Sequence, residues 1–141
     1  MSDDRHAELE ESRERVAPSA VSRVFAPATS SVTDARHWAE HVGRRWGLRE
    51  EALQRLAFNT TELAANAVMH ARTPFRVSLR YQGDRVRLEV ADASVELPRE
   101  VHGGRYATAG RGIAMVRALS ARTGARRDAD GGKRVWAEIE A

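Results

Sequence analysis

The chain has no cysteine in its 141 residues. That excludes disulfides and thiol chemistry, and it fits a reducing cytoplasm, the expected location. No apolar run approaches the roughly 18 residues of a membrane span, so no membrane association is expected. The opening residues are acidic and polar rather than basic and apolar, so no secretory signal is expected. No Gly-Lys-Ser or Gly-Lys-Thr occurs, which excludes a P-loop. What is present is ordinary for a folded chain: 42% hydrophobic and 30% charged residues, enough for one domain with one core.

Charge is unevenly spread. The net charge is +3, yet residues 1–15 carry six acids (Asp3, Asp4, Glu8, Glu10, Glu11, Glu14) and three arginines. The remainder is therefore basic. Its arginines are scattered between apolar residues, which reads as a solvated surface, and direct nucleic-acid binding is not expected.

Residues 1–20 lack periodicity and are expected to form a mobile tail ahead of a domain at 21–141. Val21–Phe25 reads as a short strand. Ser30 or Ser31 is expected to cap a helix over about 32–46, ended by Gly47. A longer helix follows from about Arg49 to His70, its apolar stripe formed by Leu53, Leu56, Ala57, Thr60, Leu63, Ala64 and Ala67. After Pro74 the period becomes alternating: Phe75–Tyr81 and Val86–Val90 read as strands joined by a Gln82-Gly83-Asp84 turn. Residues 93–110 are loop-like, and helix returns at about 112–122. Strands near Gly124–Arg127 and Arg134–Ile139 flank a Gly131-Gly132 turn. This order predicts an α+β fold with a mixed or antiparallel sheet and helices on one face.

Chemistry concentrates on the long helix. Glu62 and Asn66 lie one turn apart and project from the same face. A carboxylate on so apolar a helix is costly unless it serves something, and a metal ion with its ligand is the candidate. Asp92 ends a strand beside small residues, Ala93 and Ser94. Gly110 and Gly112 open the next helix, and free N–H groups at such a start favour an anion. His37 and His41 share the i, i+4 spacing but have no third ligand nearby, so they read as a solvated face. Trp38 and Trp46 read as core or dimer contacts, and Met115 and Val116 as core. His70, one turn beyond Asn66, reads as a cap of the helix end or as a neighbour of a bound anion.

In this order, Thr61–Ala71, Asp92-Ala93-Ser94, Gly110–Val116 and Gly131–Trp136 resemble the GHKL (Bergerat-fold) ATP-binding superfamily. They are most similar to its serine-kinase anti-sigma factor branch, in the short actinomycete-type form, and the resemblance covers nearly all of 21–140. It implies a two-layer sandwich of a mixed, mostly antiparallel sheet with helices on one face. It implies ATP and Mg²⁺ as cofactors, with Asn66 binding Mg²⁺ and Glu62 as general base. Asp92 would accept the adenine amine, and Gly110 and Gly112 would let backbone approach the phosphates. Arg105 and Arg111 would neutralise phosphate charge. The adenine motif carries Ser94 where the family has glycine, and Lys133 stands where a threonine usually lies near the adenine. The implied activity is that of an anti-sigma factor with serine/threonine-protein kinase activity. Its expected partners are a sigma factor, a STAS-type antagonist and a second copy in a homodimer. A nucleotide-gated binding protein without significant kinase activity is the alternative.

Overall fold

The computed structural model describes residues 19–93 and 107–141. Residues 1–18 of the expected N-terminal tail, Ser94 and Arg105 lie outside the described residues, and Ala20, expected in that tail, opens the first strand. In chain order the elements are β1 (Ala20–Phe25), α1 (Thr29–Arg45), α2 (Glu50–His70), β2 (Phe75–Tyr81), β3 (Arg85–Asp92), α3 (Ala107–Leu119), β4 (Arg122–Arg127) and β5 (Lys133–Glu140). The five strands form one sheet in the order β1-β2-β3-β5-β4. Every pairing among them is antiparallel, so the expected α+β layering holds with a wholly antiparallel sheet.

Alternation decides which face each strand buries. Phe75, Val77 and Leu79 of β2, Val86, Leu88 and Val90 of β3, and Val135, Ala137 and Ile139 of β5 are buried, and the intervening positions point the other way. α2 packs on this apolar face through Leu56, Leu63, Ala64 and Ala67, each almost fully buried. α1 packs on α2. Its Trp38 meets Phe25 edge-on, with ring centroids 6.1 Å apart, and Trp46 beyond its end stacks on Tyr81 at 5.4 Å. Both tryptophans are thus intramolecular contacts.

Two ends of α1 differ in how their backbone groups are satisfied. At the C-terminus Gly47 takes φ 76°. Its N–H donates to the Arg44 carbonyl and that of Leu48 to the Gly43 carbonyl, both at 3.0 Å; these are the paired bonds of a Schellman stop. At the N-terminus Ala28 occupies the cap position and no side chain caps the helix. The expected Ser30 or Ser31 cap is therefore corrected: both serines fall inside the first turn, and Ser31 is buried against the core.

The hairpin turns fall where glycine allows them. Gly83 and Gly131 have φ of 88° and 93°, a region other residues enter at a cost. Gln82 N–H donates to the Arg85 carbonyl at 2.8 Å and Asp128 N–H to the Gly132 carbonyl at 2.7 Å, closing the two turns. β5 is thereby folded back between β4 and β3, which brings Lys133 directly opposite Asp92.

Candidate nucleotide site

Glu62 and Asn66 lie on α2, partly buried. They sit on the side of α2 that meets α3. The contact is close: a Cβ on Gly112 would collide with the Glu62 carboxylate. Gly112, Val116 and Ser120 follow one another at four-residue steps and form one stripe. At its far end the fully buried Asn59 donates from Nδ2 to Ser120 Oγ at 2.9 Å, and Ser120 Oγ donates in turn to the Val116 carbonyl. One helix thus runs against the other from Asn59 to Glu62, clamped by a hydrogen bond at one end and admitted by a missing side chain at the other.

This contact has an electrostatic consequence. Burial raises the Glu62 carboxyl above its ordinary value by penalising the charged form. A carboxylate kept readier to hold a proton is a better base near neutral pH.

The helix start differs from expectation. α3 begins at Ala107, not near residue 112, so Gly110 and Gly112 lie within its first two turns. Only the first few N–H groups of a helix lack an intrahelical acceptor. Gly112 is the sixth residue, so its N–H belongs to the helix ladder; its role here is to let α3 lie against Glu62. Arg111 is placed on this helix by its backbone alone. Met115, expected in the core, is 47% exposed, whereas Val116 is buried: the 112/116/120 stripe turns Met115 outward.

Asp92 ends β3 on the same face as the core residues and is buried. Its carboxylate lies 3.8 Å from the Lys133 ammonium, with both side chains almost wholly enclosed. Thr73 Oγ1, in the connection after α2, accepts from the Ala93 N–H at 3.3 Å. The end of β3 is therefore held beside the end of α2, on which Glu62 and Asn66 lie.

These residues fit a nucleotide in two respects. Among the described residues no group of three or more His, Cys, Asp or Glu side chains could hold a metal ion. A lone carboxamide such as Asn66 suits Mg²⁺, which keeps waters and shares its shell with phosphate oxygens instead of filling a protein cage. Gly112, having no side chain, leaves the Glu62 carboxylate room against α3, one turn from Asn66 on the same face of α2. His37 and His41 are exposed on α1.

A concavity of about 630 Å³ crosses the sheet face that no described helix covers, between Ser22, Arg80, Arg87 and Arg134. Chemistry points away from it. Arg87 is bound to Glu89 and Glu138, and Arg134 to Glu89 and Asp128, so its charges are largely satisfied within the face.

Sequence reasoning missed Asn59 and Ser120. The signal was available at Asn59, a polar residue in phase with the Leu53, Leu56 and Leu63 stripe. No comparable signal marks Ser120, which lies just past the end of α3. A comparison with curated proteins finds no match. Residues 25–139 match the family model described as a histidine kinase-like ATPase domain; that span takes in the whole α2–α3 contact and the Asp92 strand, and the chain belongs to this GHKL-type, ATP-binding family.

Proposed function

We propose that the chain is an ATP-binding anti-sigma factor with serine/threonine-protein kinase activity. It sequesters a sigma factor and phosphorylates a STAS-type antagonist, as a cytoplasmic homodimer. The observation that carries the reading is the Glu62 carboxylate, raised by burial and pressed against Gly112 of α3, one turn from Asn66 on the same helix face.

In this reading Glu62 accepts the proton of an antagonist serine or threonine hydroxyl as that oxygen bonds to the γ-phosphorus of ATP and the bond from that phosphorus to the bridging oxygen breaks, releasing ADP. Asn66 holds Mg²⁺ through its side-chain oxygen. The bound Mg²⁺ and nucleotide supply a phosphoryl group with its charge neutralised. Arg111 and Arg105 would neutralise phosphate charge, and Gly110 would let backbone approach it. Asp92 would accept the exocyclic amine of adenine.

The test is γ-phosphate transfer from labelled ATP to a STAS-type antagonist. Glu62→Ala is expected to abolish transfer while ATP still binds. Transfer that survives this change would show that another group is the base.

A second reading has its own observation. Lys133 pairs with Asp92 inside the protein, where the family usually has threonine, and this favours a nucleotide-gated binding protein without significant kinase activity. Tight partner binding with no transfer to the same antagonist would select it.

A further inference from the structure

Asp92 and Lys133 stand opposite each other at the ends of β3 and β5, both facing the helical layer. Only 1% of the Asp92 side chain and 2% of the Lys133 side chain is exposed. A lysine on a sheet ordinarily runs its methylenes over apolar surface and ends in water; this one ends inside. Burying two charges costs desolvation that their attraction only partly returns, and an apolar pair would serve stability as well. The turn before β5 fixes the arrangement. Gly131 takes φ 93°, and a Cβ on Gly132 would strike the Asp92 carbonyl. Gly132 N–H donates to Asp130 Oδ1 at 3.0 Å. Lys133 is thus delivered to Asp92 by a turn that fits only around glycine.

Resting on the nucleotide reading above, we propose that Lys133 is a built-in competitor for the nucleotide base at Asp92. Its ammonium presents N–H donors to the carboxylate from inside the fold, the part that an exocyclic amine of a purine would otherwise play. Because Asp92 is enclosed with Lys133 at 3.8 Å, a base reaches the carboxylate only when the lysine withdraws. The free protein is thereby held in a state of low nucleotide affinity, and whatever moves the turn at 128–132 sets how readily ATP enters.

Titration calorimetry on the full chain, with Mg²⁺ present, tests this. The ligands are ATP, adenosine and inorganic tripolyphosphate; the variants are Lys133→Thr and Lys133→Gln. Lys133→Thr is expected to bind ATP and adenosine about tenfold tighter than wild type (about 1.4 kcal/mol), with no tightening toward tripolyphosphate. Its Tm without ligand should fall, and its Tm rise on adding ATP should exceed that of wild type. Lys133→Gln, which keeps an N–H toward Asp92 and so guards against a failure to fold, should tighten ATP binding a few-fold. If wild type binds ATP and neither variant binds it tighter, the lysine is only structural and the inference falls while the nucleotide reading stands. If no form of the protein binds ATP or adenosine, both fall together.

Discussion

At the scale of single residues, Glu62 gives the most direct prediction. Burial raises its carboxyl, so the folded chain holds that proton more tightly than the unfolded chain. The stabilising effect of the bound proton is complete below the ordinary carboxylate value and is lost as pH rises through the raised one. Glu62→Gln should therefore match wild-type stability in acid and gain on it as pH rises, measured by thermal melts across pH. Phosphate transfer should show an acid limb above the ordinary carboxylate range, because the base is lost on protonation. Asn59 makes a separate prediction. It is fully buried, with Nδ2 on Ser120. Asn59→Ala should cost roughly 1–3 kcal/mol, the range for removing one partner of a buried hydrogen bond, measured by urea unfolding. A loss near zero would show that the clamp between α2 and α3 lies elsewhere.

At the scale of elements, α2 against α3 is the contact on which the proposed site depends, and Gly112 sets its closeness. Alanine within a helix ordinarily gains about 0.5–1 kcal/mol over glycine. Here the new methyl would meet the far end of the Glu62 side chain, which can swing aside. Gly112→Ala should therefore keep or slightly raise Tm while lowering transfer by roughly 100-fold, the order expected when a catalytic group is displaced by about 1 Å. Unchanged transfer would separate Gly112 from the chemistry. The elements also show what was legible beforehand. α2 and the β2–β3 hairpin were readable because 3.6-residue and two-residue periods run through them uninterrupted. Glu62 and Asn66 were readable because polar residues break an apolar helix. The start of α3 was not: Gly110 and Gly112 look like loop residues, and only the packing against Glu62 explains Gly112 inside a helix. Asp92 was legible as a strand end, but its enclosure with Lys133 depends on β5 returning beside β3, a long-range pairing that no local period encodes.

For the molecule as a whole, the two faces of the sheet have different fates. One carries the core, α2 and the Asp92–Lys133 pair. The other is free of the described helices and rich in arginine, with Arg87 lying 4.2 Å over the Trp136 ring and bound to Glu138. Burial alone would push the Glu138 carboxyl up, but hydrogen bonds from Arg87 and Arg85 and the charge of Arg122 carry it below its ordinary value. Arg85, Arg87 and Arg134 of that face are thus tied to its own acids, and the proposed nucleotide chemistry belongs to the helical side. One measurement tests this most directly: calorimetric titration of wild type and Asn66→Ala with ATP, with and without Mg²⁺. The account predicts ATP binding that Mg²⁺ strengthens in wild type, and no Mg²⁺ effect once Asn66 is alanine. Absence of ATP binding, or a Mg²⁺ effect that survives the loss of Asn66, would contradict it.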